Sequence, residues 1–336
     1  MQAYQLTASN GADSLKLNHL DEPQPAPDQV LVRVRATSLN YRDLMVASGR
    51  YGTGLPLPLI PLSDGAGEIA AVGAGVTKWK TGDRVAGTFF QNWQAGAVRK
   101  EAFASALGGS IDGMLAEFVA LSAEGVIAIP PHLSFEEAAT LPCAALTAWH
   151  ALVTDGKISA GQTVLVLGTG GVSIFALQFA KMHGARVIVT SSSDAKLARA
   201  RALGADEVIN YKSTPEWEKE VFRLTDKAGA DHIVEVGGTD TFPRSLRALA
   251  MGGTISVIGG VSGFTSDVPL RDILGKSALI RGIFVGSHDM FTAMNRALSQ
   301  HQLKPVIDRV FPFAKAPAAY RHQESGVHFG KVVITV

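Results

Sequence analysis

Residues 163–173 read TVLVLGTGGVS, and no other segment restricts the fold so tightly. Five apolar-rich residues form a strand. It runs into a glycine turn at Gly168 and Gly170, and a helix opens at Gly171 with Val172 as its next residue. Gly168 permits the tight turn, and Gly170 lets the backbone come close to a bound phosphate. The helix start offers unpaired N–H groups and the positive end of its dipole. Ser173 stands where a third small residue is needed for the helix to lie close to the strand. This is the construction of a dinucleotide pyrophosphate site.

A repeating unit follows. Residues 186–190, 207–210, 232–236, 254–258 and 278–285 are short runs rich in β-branched residues and read as further strands. Amphipathic stretches at 172–183, 194–203 and 216–227 lie between them, and Gly204 and Gly229 stand where helices should end. Asp194 is read as a helix N-cap. Strand, helix, strand, repeated, predicts parallel strands joined by right-handed crossovers. The expectation is an α/β fold with a six-stranded doubly wound sheet of order 3-2-1-4-5-6.

The first third differs. Residues 30–36 alternate apolar and charged positions, and 67–73, 83–87 and 113–120 are short strand candidates between glycines and prolines. These predict a mostly antiparallel, barrel-like β domain. Residues 289–302 read as a helix, and 330–336 as a closing strand that returns to the first domain. The expected division is therefore 1–125 with 293–336, and 126–292 as the dinucleotide-binding domain.

Net charge is +1 over 336 residues, which gives no electrostatic case for nucleic acid. No apolar run reaches the ~18 residues of a membrane span. A single cysteine, Cys143, excludes an internal disulfide and suits a reducing, cytoplasmic setting.

The segments SLNYRD (38–43), GAGE (65–68), VGAGV (72–76), GDRV (82–85), LPCAALTA (141–148) and GKV (330–332), together with the glycine turn, resemble the medium-chain dehydrogenase/reductase superfamily over essentially the whole chain. Within it the chain is most similar to the zinc-free quinone oxidoreductase-like members. The resemblance implies a GroES-like catalytic domain around a Rossmann domain. The positions of the catalytic zinc ligands in metal-dependent members hold Asn40, Ser63 and Cys143 here, a poor set for Zn²⁺. No metal is expected.

Nicotinamide sites that prefer the unphosphorylated coenzyme end their second strand with a carboxylate. Here that position is Ser191, followed by Ser192, Ser193 and Lys196. Hydroxyls and a cation suit a 2′-phosphate. The resemblance adds Tyr211 to this group, Thr147 beside the nicotinamide, and Phe284 in a segment that holds the carboxamide. NADPH is the expected coenzyme. Gly237 and Val261, at strand ends, and Lys331 complete the cofactor candidates. Tyr41 is the leading candidate for donating a proton to the substrate oxygen. Arg42 is a second donor candidate or a partner of Asp43 or Asp64, and Asn40 is a candidate for hydrogen bonding to the cofactor or substrate. Phe89, Trp93 and Phe264 are candidates for an apolar pocket.

The expected activity is hydride transfer to a quinone, an enone or another small carbonyl compound. The alternatives are a metal-free alcohol dehydrogenase or aldehyde reductase, and a non-catalytic NADPH-binding structural or regulatory protein. The apolar edge at 278–285 predicts a homodimer.

Overall fold

A computed structural model describes residues 1–52 and 54–336 and divides the chain into two compact units, Met1–Leu146 with Val285–Val336, and Thr147–Phe284. The second unit contains the expected parallel sheet. In spatial order its strands are Glu207–Asn210, Arg186–Ser191, Thr163–Leu167, Ala230–Glu235, Leu249–Val257 and Leu279–Gly282, which is the doubly wound order 3-2-1-4-5-6. Val164, Leu165 and Val166 of the central strand are wholly buried, as a parallel sheet covered on both faces demands. One face packs Leu165, Ile188, Ile233 and Ile255 against Trp217, Val221 and Leu246. On the helix Gly171–Met182, Phe175 and Phe179 are fully buried, and Trp149 meets Phe179 edge-on with centroids 5.5 Å apart.

The first unit is mostly antiparallel. Its large sheet runs Ile307–Pro312, Lys331–Thr335, Gln29–Leu39, Asp64–Val72, Arg84–Gly87 and Val126–Ala128, and Phe118–Ser122 also pairs with Gln29–Leu39. The long strand Gln29–Leu39 is the hub. Leu39 lies opposite Val332, and Ser38 opposite Asp64, so its end brings Asn40, Asp64 and Lys331 together.

Both domain boundaries differ from those expected, for a visible reason. The helical stretch after residue 131 belongs to the first unit up to Leu146, because Ser38 Oγ donates to the Ala139 carbonyl and the Cys143 N–H to Asp64 Oδ2. The helix His288–His301 also belongs there. The His288 N–H donates to the Trp93 carbonyl, and Asn295 Nδ2 to the Ala128 carbonyl. The boundaries thus move from 125/126 to 146/147 and from 292/293 to 284/285.

Candidate functional sites in the two units

The glycine turn adopts the geometry that its residues predict. Gly168 has φ of +73°, open to glycine and strained for other residues. A Cβ built on Gly168 or Gly170 meets no protein atom within 4 Å. The fold's own packing therefore does not demand glycine at 170; the space above the turn is left for something else. The helix Gly171–Met182 starts there, and its first N–H groups have no partner from a preceding turn. Ser173 does more than stay small: its hydroxyl donates to the Leu167 carbonyl at 2.7 Å and ties the helix to the strand. These features fit a dinucleotide pyrophosphate.

Beside the turn, Asn210 is in register with Ser191, and the Tyr211 N–H donates to the Ser191 carbonyl. Ser191, followed by Ser192, therefore lies beside Tyr211 at the carboxyl ends of two adjacent strands, and Lys196 stands in the first turn of the helix Asp194–Ala202 that follows. Ser191 is buried, and its hydroxyl accepts from the Ser193 N–H at 3.3 Å. Lys196 is half-buried and Tyr211 exposed. Asp194 is not the cap that was expected. Ser193 caps the helix Asp194–Ala202, and the Asp194 carboxylate accepts instead from Asn210 Nδ2 at 2.7 Å.

Glu235 carries a role that sequence reasoning missed. It ends the strand Ala230–Glu235 with no exposed surface, and one carboxylate oxygen accepts from the Gly237 N–H (2.8 Å), the Gly238 N–H (3.1 Å) and Thr241 Oγ1 (2.6 Å). Its other oxygen accepts from Ser245 Oγ. The signal was a carboxylate closing an apolar strand just before two glycines. Glycine at 237 is required, since an added Cβ would lie 2.3 Å from Thr241 Oγ1. Ser262 donates to the Gly237 carbonyl and so links this loop to the one bearing Val261, which is exposed. Thr147 is buried in the same unit, whereas Phe284 and Phe264 are exposed. Phe89 and Trp93, the other pocket candidates, are core residues of the first unit; each packs against Phe90.

The first unit holds a compact polar cluster. The backbone N–H of Asn40 donates to Asp43 Oδ2 at 2.7 Å, which closes the start of the helix Tyr41–Ala47. Tyr41, the first residue of that helix, is exposed. Arg42 turns inward. Its Nη1 donates to the Leu107 carbonyl at 2.7 Å, and its guanidinium lies 4.7 Å from the Tyr51 ring and 4.9 Å from the Phe89 ring. It also faces Asp43 at 3.6 Å, the pairing expected of it as an alternative. Lys331 is 2% exposed; its Nζ donates to the Leu39 carbonyl and to Asn40 Oδ1, both at 2.6 Å, and lies 3.8 Å from Asp64 Oδ2.

This cluster does not fit a catalytic zinc. Asn40 Oδ1 already faces a cation, and Ser63 Oγ donates to Asp64 Oδ1 at 2.7 Å. Cys143 is partly exposed, yet the surrounding protein and then the Asp64 carboxylate push its thiol well above the ordinary range. Such a thiol resists forming the thiolate that Zn²⁺ needs. Among the described residues, no group of three or more His, Cys, Asp or Glu side chains is placed to hold a metal. No helix among them is long and apolar enough to cross a membrane.

Residues 26–131 match the alcohol dehydrogenase GroES-like domain, and residues 171–300 the zinc-binding dehydrogenase domain. A zinc-type alcohol dehydrogenase-like protein of Schizosaccharomyces pombe is 46% identical, over 97% of this chain and 96% of its own length. The human quinone oxidoreductase is 29% identical, over 96% of this chain and 93% of its own. Among solved structures, an NAD-dependent alcohol dehydrogenase superposes with a TM-score of 0.92 at 37% identity, with both chains fully covered. A mycobacterial protein solved in complex with NADPH gives 0.85 at 26% identity, also with both chains fully covered. With a GroES-like unit, a doubly wound sheet of order 3-2-1-4-5-6 and relatives of this similarity along its whole length, the chain belongs to the medium-chain dehydrogenase/reductase superfamily of oxidoreductases.

Proposed function

We propose that this oxidoreductase uses NADPH, without a metal, to reduce a quinone, an enone or another small carbonyl compound. The observation that carries the coenzyme preference is Ser191 at the end of its strand, with Ser192, Lys196 and Tyr211 around it and the nearby Asp194 carboxylate engaged by Asn210. Hydroxyls and an ammonium favour a 2′-phosphate, whereas a carboxylate at 191 would repel it. When bound, NADPH supplies a hydride equivalent to the substrate's electrophilic carbon. Gly168, Gly170, Gly171 and Val172 receive the pyrophosphate. Gly237, Val261, Thr147 and Phe284 belong to the nicotinamide end, where Glu235 keeps the Gly237–Gly238 backbone in place. Asn40 donates a hydrogen bond to the substrate oxygen, and exposed Tyr41 donates the proton. Arg42 acts from the interior, by holding Asp43 and thereby the Asn40 loop.

The test is NADPH oxidation with 1,4-benzoquinone, 2-cyclohexen-1-one and a panel of aldehydes, beside titrations with NADPH and NADH. Lys196→Ala should weaken NADPH by about 1–2 kcal/mol and NADH hardly at all; equal weakening would remove the phosphate assignment. Tyr41→Phe should lower turnover and leave NADPH affinity intact. A second reading, a metal-free alcohol dehydrogenase, is favoured by the names of the yeast relative and of the NAD-dependent structure. Turnover confined to aldehydes, or to NAD(H), would select it. Tight NADPH binding without turnover on any substrate would point to a non-catalytic role.

We also propose a homodimer. What supports it is the strand Leu279–Gly282 at the edge of its sheet, with all four residues exposed, beside the helix Leu270–Lys276, which buries no residue.

A further inference from the structure

Lys331 determines which end of the Asn40 amide is offered outward, and the reason is chemical. Nζ lies 2.6 Å from both the Leu39 carbonyl oxygen and Asn40 Oδ1, and 3.8 Å from Asp64 Oδ2. An ammonium has three donors and no acceptor. Turning the amide over would set its NH₂ against that ammonium, donor against donor. The oxygen must therefore face Lys331, and Nδ2 must face away. The helix start holds the residue as well: the Asn40 N–H is bound to Asp43 Oδ2 at 2.7 Å, and in the same capping box the Asp43 N–H faces the Asn40 side chain, which again calls for its oxygen on that side. Asn40 is only 8% exposed, and Nδ2 is a buried donor with no acceptor among the described residues. Leaving such a group unpaired costs about 1–3 kcal/mol, which an arriving acceptor relieves.

We propose that Lys331 is a positioning residue. It locks the Asn40 amide so that Nδ2 donates to the oxygen of the carbonyl or quinone substrate. The inference rests on the reductase reading above. As a hydride from NADPH adds to the electrophilic carbon, the π pair of the C=O bond, or of the conjugated C=C–C=O system, moves onto oxygen. The amide stabilises that negative charge without losing a proton; the proton comes from Tyr41, and NADP⁺ is the oxidised product. The role differs from the direct coenzyme contact expected of Lys331 from sequence.

Three substitutions in the intact chain separate these possibilities. Asn40→Asp keeps an oxygen for Lys331 and removes the donor. It should lower kcat with 1,4-benzoquinone and 2-cyclohexen-1-one by about 100-fold, with NADPH Kd changed by no more than about twofold. Lys331→Gln can accept as well as donate and so unlocks the amide; kcat should fall by roughly tenfold, and Lys331→Arg, again donor-only, should restore most of it. An Asn40→Asp enzyme with wild-type kcat would overturn the proposal. So would a Lys331→Gln enzyme with unchanged kcat and weakened NADPH binding. If the wild type turns over none of the substrates, the reductase reading falls. The amide lock is then read separately, from the ¹⁵N–¹H side-chain resonances of Asn40. These should move in Lys331→Gln and stay in Lys331→Arg, and identical resonances in all three proteins would overturn the lock.

Discussion

In the first unit, Asp43 sets charge against burial. Burial raises its carboxyl from 3.8 to about 6, against the pull of Arg42 and of the Asn40 N–H; Asp64 pushes the same way as burial, and Lys331 opposes it. Buried Tyr320 belongs to the same surroundings, its hydroxyl held well above the ordinary tyrosine range by burial and then by the Asp43 charge. Folding therefore favours the protonated form of Asp43. Its contribution to stability is complete below the unfolded value near 3.8 and is lost as pH rises through about 6. Asp43→Asn offers the Asn40 N–H a neutral acceptor and removes the titration. Between pH 4 and 7, wild type should lose roughly 2–3 kcal/mol relative to this variant, at about 1.4 kcal/mol for each unit of pKa. Urea melts at four pH values test this, and parallel profiles for the two proteins would contradict it.

At the scale of elements, strand, glycine turn and helix were legible because each depends on neighbours within a dozen residues. Periodicity located the helices now observed at Gly171–Met182, Asp194–Ala202, Trp217–Leu224 and His288–His301 to within a few positions. The cap at Asp194 was misread because its carboxylate is drawn away by Asn210, a residue on an adjacent strand that local pattern cannot see. The run 278–285 is a strand over Leu279–Gly282; Ile283 still donates its N–H to the Val257 carbonyl of the neighbouring strand, and the chain turns away by Val285, at φ +38°. The short strand leaves one sheet edge open, and Leu270 (81%) and Leu274 (80%) stand exposed on the helix beside it. Pairing two copies along this edge would bury both leucines. If the proposed dimer pairs here, Leu270→Lys with Leu274→Lys removes four leucines from the contact, at about 1.5–3 kcal/mol each if fully buried, and should reduce the light-scattering mass to the 35.4 kDa of one chain. An unchanged dimer mass would put the contact elsewhere.

Across the whole molecule, the fold could be read from motifs but its seams could not. Residues 126–146 and 285–292 look like parts of the nucleotide-binding unit because they flank its β/α repeat. They join the other unit through hydrogen bonds to residues far away in sequence. The polar cluster was hidden for the same reason: Asn40 and Lys331 are 291 positions apart and meet only through the pairing of Leu39 with Val332. Lys331–Thr335 lies inside its sheet, flanked by Ile307–Pro312 and Gln29–Leu39. Removing residues 331–336 should therefore expose the first unit to trypsin and abolish turnover, while residues 147–284, continuous in sequence, persist as a resistant fragment. Simultaneous digestion of both units would show that they do not fold separately.

That internal strand also sets a schedule. A ribosome has made the whole unit Thr147–Phe284 before it reaches Lys331. On the mechanism proposed above, turnover waits for the last strand to be synthesised and to dock between Ile307–Pro312 and Gln29–Leu39.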